Sequence, residues 1–255
     1  MNITSTLQKI ASEYPPEMRK GQQKDVARMA FNVEIALEAC AGKQPSDLEI
    51  CDIGGGIGLF SIGCAVLGCK RSVLIDDFDD PVNHELGPSV LNLHRSKGVE
   101  VVTLDVIEKG LEGVQGPFDV ITAYDTMEHW HNSPKKLFHE AIQLLKPGGA
   151  FILSGPNCAN LKKRFSGLFG NSKWSSMDGW YETEKFRGHV REPDVSDLLY
   201  IGRDLGLKNL RIIGRNWMGY HSRNSVQRSL TRLMDKPLRL RPQLCSNIYL
   251  VGIKS

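Results

Sequence analysis

Two groups of residues in this chain have the types and spacing to do chemistry. The first is the run ICDIGGGIGLFSIG at 50–63, in which Gly54, Gly55, Gly56 and Gly58 follow Asp52. Backbone this bare lets a ligand approach closely and tolerates positive φ. Three ligand classes use a glycine-rich turn between a strand and a helix. A Walker loop needs Lys-Ser or Lys-Thr after its glycines, and neither follows here. The dinucleotide fingerprint G-x-G-x-x-G fails in both registers, because Leu59 and Ser61 stand where its third glycine should be. What remains is G-x-G-x-G with an acid two residues ahead of it. The second group is Asp125, Glu128, His129 and His131. A histidine titrates near neutral pH, so His129 or His131 could serve as a general base for an acceptor group. His129 could equally pack and hydrogen-bond at a turn, with no part in chemistry.

Alternating elements must position both groups. Apolar runs of strand length occur at 48–53, 72–76, 99–104, 118–124 and 149–155. Helical stretches lie between them, one from Leu59, one at about 89–97 and one at 133–146. In the last, Ser133 predicts the N-cap, Pro134 the first helical position and Pro147-Gly148-Gly149 the stop. Upstream, Val26, Met29, Ala30, Val33, Leu37 and Cys40 recur at helical spacing and predict an amphipathic helix over 24–41. Strand and helix repeated in this way mean a parallel sheet covered on both faces. Both chemical groups then fall just after strand ends, where open α/β sheets hold ligands. Beyond Pro156 the rhythm breaks. Residues 157–190, with Phe165, Phe169, Trp174, Trp180, Tyr181 and Phe186, predict a lid or substrate-binding insert, being too long for an idle connection. A helix at 194–205 and strands at 209–214 and 246–254 complete the chain.

The composition is ordinary for a soluble globular domain: 255 residues, 41% hydrophobic and 24% charged, with a formal net charge of +3. That charge is too small to imply nucleic acid by itself. No apolar run reaches membrane-spanning length, and MNITSTLQKIASEYPP lacks the layout of a secretion signal. Six cysteines without a C-x-x-C pair read as reduced, buried thiols of a cytoplasmic protein.

From Asp52 to Gly58 the chain resembles the class I S-adenosylmethionine-dependent methyltransferases. The resemblance continues in register through the second strand ending in Asp76, TLDV at 103–106, FDVITAYDTMEHW at 118–130 and LLKPGGAFILSGPN at 144–157. It implies a Rossmann-like α/β fold: a seven-stranded, mostly parallel sheet with a final antiparallel strand and helices on both faces. It also implies S-adenosyl-L-methionine as cofactor. An acid beside the loop suits the ammonium of that cofactor's methionine end, where it would repel a pyrophosphate. The cofactor residues so implied are Asp52 near the amino group and Gly54, Gly56 and Gly58 against the methionine and ribose. Asp76 and Asp77 would take the ribose hydroxyls, Asp105 with Val106 the adenine side, and Tyr124 closes the fourth strand.

Asp125-x-x-Glu128-His129 resembles the Glu-x-x-Glu-His set that binds a divalent ion in ubiquinone-pathway O-methyltransferases and small-RNA 2′-O-methyltransferases. It would offer two hard oxygens and an imidazole to an ion that acidifies an acceptor hydroxyl. Aspartate at the first position shortens the reach and His189 is the candidate fourth ligand, so no metal is assigned. The motif YDTM differs from the Asn/Asp-Pro-Pro-Tyr of amino-methylating DNA enzymes, and no Pro-Cys nucleophile stands there. Segments 164–174 and 188–198 resemble bacterial methyltransferases of cell-surface polysaccharide and natural-product pathways. Gly188, His189, Arg191 and Glu192 of their GHxREY turn are kept, with Pro193 in place of the tyrosine.

A basic insert at 215–244 is distinctive. Arg223, Arg228, Arg232, Lys236, Arg239 and Arg241 face one acid, Asp235. Val226, Leu230, Leu233 and Met234 form one helical stripe and Arg228, Arg232 and Lys236 another. The stripe could pack on the core beneath a solvated basic face. The face could instead serve a phosphate-bearing acceptor, such as a nucleotide- or lipid-linked sugar, or an anionic membrane surface; nucleic acid is disfavoured because no aromatics alternate with the arginines. The resulting expectation is a single methyltransferase domain over 1–255, with an N-terminal helical cap (1–45), a cofactor-binding core (46–156), the insert 157–190 closing over the site, and a C-terminal part (191–255). It would methylate oxygen on a small-molecule or glycan acceptor. The alternatives are a metal-assisted RNA 2′-O-methyltransferase and an inactive cofactor-binding scaffold.

Overall fold

The computed structural model describes residues 2–79, 87–170, 175–184, 186–222 and 224–255. Its strands are β1 (Glu49–Ile53), β2 (Arg71–Asp76), β3 (Val99–Thr103), β4 (Phe118–Tyr124), β5 (Leu145–Pro156), β6 (Lys208–Arg215) and β7 (Asn247–Ile253). They form one seven-stranded sheet in the order β3-β2-β1-β4-β5-β7-β6. β1 pairs in parallel with β2 and β4, and β2 with β3. The last strand runs the other way. Lys254, just after β7, exchanges backbone bonds with Gly148 and Gly149 near the start of β5, whereas Asn157, just after β5, bonds Ser246, just before β7. Every residue of β4 is buried, as are the four central residues of β2. Burial of successive residues, rather than of alternate ones, is what a strand covered on both faces shows.

The described residues divide into two compact units, one of 1–124, 135–152 and 253–255, the other of 125–134 and 153–252. The first unit carries α1 (Ile3–Glu13), α2 (Pro16–Glu38), α3 (Leu59–Val66), α4 (Gly87–Ser96), α5 (Val106–Lys109) and α6 (Lys135–Gln143). Leu7, Ile10 and Tyr14 pack with Ile57, Leu59, Ile62 and Leu74 in its core. Helix α1 was not evident from periodicity, and α2 starts at Pro16 rather than 24. The start signals are local: Asn2 caps α1 by accepting from Ser5 N at 3.1 Å, and Pro16 takes the first position of α2.

One expected boundary is corrected. Helix α6 ends at Gln143, and Pro147-Gly148-Gly149 lies inside β5 instead of stopping a helix. Pairing with Lys254 draws these residues into the sheet, and Gly148 bends the strand at φ +75.

The second unit carries α7 (Leu161–Gly167), α8 (Met177–Tyr181), α9 (Val195–Asp204), α10 (Trp217–Tyr220) and α11 (Ser225–Arg239). The expected insert at 157–190 thus holds two short helices, capped by Asn160 and Ser176. Trp174 and Arg223, singled out in the sequence, lie outside the described residues. Helix α9 opens with a capping box between Asp194 and Asp197. Helix α11 overturns the reading of a core-packed apolar stripe. Val226 and Leu233 are 73% and 74% exposed, whereas Asp235 is 3% exposed. Asp235 accepts from Asn216 Nδ2 at 2.9 Å and Tyr220 Oη at 3.0 Å and pairs with Arg239, so the helix seats on its polar side.

All six cysteines are free thiols and four of them are buried. Among the described residues no helix is long and apolar enough to cross a membrane.

Candidate functional site

In the first unit, β1 runs into the glycine turn and Gly58 serves as the N-cap position of α3. Gly54 N donates to Ile75 O at 2.7 Å and Gly56 N to Asp76 Oδ2 at 2.8 Å, which stitches the turn to the tip of β2. The other oxygen of Asp76 accepts from Phe78 N at 2.8 Å. Two adjacent glycines are bare for opposite reasons. Gly56 sits at φ +56, and a Cβ there would meet nothing within 4 Å, so the space above it is open. At Gly55 a Cβ would strike Asp52 Oδ2 at 2.1 Å. The first glycine leaves room for a ligand and the second leaves room for the carboxylate underneath.

Asp52 is 2% exposed and accepts hydrogen bonds from the hydroxyls of Thr122 (2.6 Å) and Ser61 (3.2 Å). Burial pushes its carboxyl up to about 7 against those two bonds, and the nearby charge of Asp76 adds to the rise. Asp52 therefore supports the turn from below. Burial also raises Asp76, although the two backbone N–H groups favour its charged form. Asp77 Oδ1 accepts from Asp79 N at 2.9 Å. Asp105 caps α5 by accepting from Ile107 N and Glu108 N, both at 3.1 Å, and Val106 is the buried first residue of that helix. Tyr124 is buried, donates to Asn32 O at 3.0 Å and meets Phe60 edge-on at 5.0 Å, so its side chain joins β4 to α2.

Two residues that sequence patterns missed hold this turn. The Tyr14 hydroxyl lies 3.1 Å from the carbonyl oxygens of both Ile57 and Gly58. The His94 ring reaches Gly58 O with Nε2 at 3.0 Å and Val90 O with Nδ1 at 2.9 Å. Their sequence separations from the turn are large, and nothing in local spacing marks them.

In the second unit, the turn after β4 opens at Asp125, whose φ of +49 is unusual for a residue with a side chain. Its backbone N bonds both the carbonyl and the hydroxyl of Ser154, and Ser154 Oγ donates back to Asp125 Oδ1 at 3.2 Å. Glu128 is 1% exposed, and its carbonyl accepts from Val190 N (2.7 Å) and Arg191 N (3.3 Å). This brings His189 beside His129, with the rings edge-to-face at 4.9 Å. Atoms of Glu128, His129 and His189 able to bind a metal lie within 4.8 Å of one another. Asp125 and the exposed His131 are not members of that set.

Hydrogen bonds fix how the two rings present themselves. His129 Nδ1 is 2.7 Å from Arg187 O, and because a carbonyl only accepts, Nδ1 carries the proton and Nε2 the lone pair. Burial holds this ring below the ordinary histidine range. His189 Nδ1 is likewise 2.8 Å from Glu192 Oε1, and Lys163 pairs with Oε2 of the same carboxylate. Burial alone would raise Glu192, but the bonds from His189 and Lys163 outweigh it and keep the carboxyl charged below its usual range. In the turn 188–193, His189 and Glu192 thus act as a pair, and Pro193 sits over Gly155, where a Cβ would come within 3.2 Å of it.

Residues 27–212 match the family model described as a methyltransferase domain. Among curated relatives, the ubiquinone biosynthesis O-methyltransferase of Colwellia psychrerythraea is 30% identical over 145 residues, 55% of each chain. The ribosomal protein L11 methyltransferase of Bacillus cereus is 36% identical over 112 residues, 44% of this chain and 33% of that one. The chain thus spans about half, or less, of the length of these relatives. Among solved structures, an S-adenosylmethionine-dependent methyltransferase of Thermotoga maritima superposes with a TM-score of 0.56 at 14% identity, covering 99% of this chain and 100% of that one. The magnesium protoporphyrin IX methyltransferase of Synechocystis, solved with bound S-adenosylhomocysteine, gives 0.54 at 14%, covering 98% and 94%. At such identities the structures show the fold, and the family match accounts for most of the length. The chain belongs to the S-adenosylmethionine-dependent class I methyltransferases.

Proposed function

We propose that the protein transfers a methyl group from S-adenosylmethionine to a hydroxyl oxygen of a small-molecule or glycan acceptor. The observation that carries the cofactor half is the open space over Gly56 next to the carboxylate of Asp76. These residues fit the group: the bare backbone at Gly56 would take its nucleoside, and Asp76 would accept from its ribose hydroxyls. Asp77, Asp105 and Val106 complete that side, Asp52 underpins the turn, and the N-terminal helices brace it through Tyr14.

When bound, the cofactor supplies an electrophilic methyl on a sulfonium. The chain's own task is to orient the acceptor and take its proton. His129 suits that task, since its Nδ1–H is held by Arg187 O and its Nε2 lone pair is available on a ring that burial keeps neutral. The hydroxyl proton passes to Nε2. The bound cofactor would supply the methyl carbon to that oxygen, with the electron pair of its carbon–sulfur bond left on sulfur. His131 is exposed, and His129 takes the role in this reading. The free thiols support a cytoplasmic setting.

The convergence of Glu128, His129 and His189 favours a second reading, in which a divalent ion acidifies the acceptor hydroxyl, including a 2′-hydroxyl of RNA. The two uses of His129 exclude each other, because its one Nε2 lone pair either takes a proton or binds an ion. The test is incubation with methyl-labelled cofactor and extracts fractionated into lipids, nucleotides, glycans and RNA, with and without a chelator. Base-stable label in a small-molecule or glycan fraction, unchanged by the chelator, supports the first reading. Chelator-sensitive label in RNA supports the second, and label on nitrogen contradicts both.

A further inference from the structure

Helix α11 buries its polar side and shows its apolar side to solvent. Gln227, Thr231 and Asp235 follow one another a turn apart on the inward face. Gln227 Oε1 accepts from the Ser222 hydroxyl at 2.8 Å, Thr231 lies where a Cβ on Gly219 would come within 2.2 Å of it, and Asp235 holds Asn216 and Tyr220. On the opposite face Val226, Leu230 and Leu233 are 73%, 56% and 74% exposed, and Leu240 beyond the helix end is 83% exposed. Single exposed leucines are ordinary, but a stripe along the whole helix marks a surface that meets something.

Arg232, Lys236 and Arg239 run along one flank of the stripe and are exposed. The only acid of the segment, Asp235, is buried and paired with Arg239, so the charge this face presents is positive. That combination selects the occupant. A second copy of the chain packed stripe to stripe would bring like-charged flanks together. A nucleic acid would leave the apolar stripe in water. An anionic bilayer satisfies both features, taking the aliphatic side chains at the acyl boundary and the cations among its headgroups. We propose that α11 docks this protein onto an anionic lipid surface through Val226, Leu230 and Leu233, with Arg232 and Lys236 on the headgroups. This holds whichever acceptor the enzyme methylates.

The test is flotation of the full chain with vesicles of phosphatidylcholine alone or mixed with phosphatidylglycerol, at low and high salt. Binding is expected on the mixed vesicles only, weakening with salt. The Leu230→Asp/Leu233→Asp variant should bind at least about tenfold more weakly, since two side chains lose their apolar burial. The Arg232→Glu/Lys236→Glu variant should also bind more weakly, with its salt dependence removed. All four side chains point outward, and unchanged circular dichroism and thermal midpoint confirm folding. Absence of binding to the mixed vesicles, or equal binding by the leucine variant, overturns the proposal. So does a wild-type dimer that the leucine variant dissociates, without vesicle binding, or release from vesicles by inorganic phosphate at constant ionic strength.

Discussion

The hydroxyl of Tyr14 and the carbonyl oxygen of Gly58 are 3.1 Å apart, and this bond fixes the end of the glycine turn to the loop between the first two helices. Tyr14 is fully buried, so its hydroxyl has no water to fall back on. Tyr14→Phe removes about 1 kcal/mol of net bonding and takes the hydroxyl from the Ile57 and Gly58 carbonyls, of which Gly58 O keeps the His94 ring beside it. Cofactor affinity should fall by about fivefold, with turnover at saturating cofactor unchanged. Calorimetric titration beside a thermal melt checks this. A lowered midpoint with unchanged affinity would reduce Tyr14 to a packing residue.

Asp76 and Asp77 are neighbours with different duties. Asp76 holds the turn through Gly56 N, whereas Asp77 caps its own loop through Asp79 N. Asp76→Ala should weaken cofactor binding by about 1–3 kcal/mol, the loss of charge-assisted hydrogen bonds. Asp77→Ala should change it by less. The reverse order in a binding titration would shift the ribose site by one residue.

Asp52 makes stability depend on pH. Its carboxyl titrates at about 7 in the folded protein, well above the ordinary value of about 3.9. A raised acid is stabilising while protonated, so its contribution is whole below the ordinary value and is lost as pH rises through about 7. Asp52→Asn keeps an acceptor for the Thr122 hydroxyl and has no charge to bury. Stability of the variant relative to wild type should climb from acid to neutral pH and level off above it, as read by denaturant melts. A flat difference would mean that Asp52 stays charged throughout.

Glu192 orients His189 through Nδ1 and is held by Lys163. In the reading where His189 holds an ion, Glu192→Gln should lower turnover by about 10-fold, as loss of the outer-shell partner of a metal-binding histidine does; a base acting at His129 alone predicts a smaller change. Cofactor affinity should stay the same, because none of these side chains belongs to the glycine turn. Equal losses in turnover and cofactor affinity would point to a general structural role.

Local patterns made the strands and the turn legible. The runs ending at Ile53, Asp76 and Tyr124 are short, mostly apolar stretches of strand length, and a cluster of glycines after the first has few meanings. What stayed hidden depends on partners distant in the chain. Tyr14 meets Gly58 across 44 residues, and Lys163 meets Glu192 across 29. Pro147-Gly148-Gly149 has the composition of a helix stop, yet pairing with Lys254 places it in a strand. Periodicity showed the apolar stripe of α11 but not which way it faces. The clue to its direction was Asp235, a lone acid among cations, which Asn216 and Tyr220 draw inward. All three members of the Glu128, His129 and His189 set were singled out in the sequence, His189 as the candidate further ligand, and it reaches the other two because Val190 N bonds Glu128 O; Asp125, expected as the first ligand, is outside the set.

The most direct measurement is calorimetric titration of the wild type and of Gly56→Val with S-adenosylmethionine, and of the wild type with a nicotinamide dinucleotide. The account predicts saturable one-to-one binding of S-adenosylmethionine by the wild type, none by a folded Gly56→Val whose side chain fills the open space at φ +56, and no response to the dinucleotide. Wild-type affinity in the Gly56→Val protein, or preference for the dinucleotide, would contradict it.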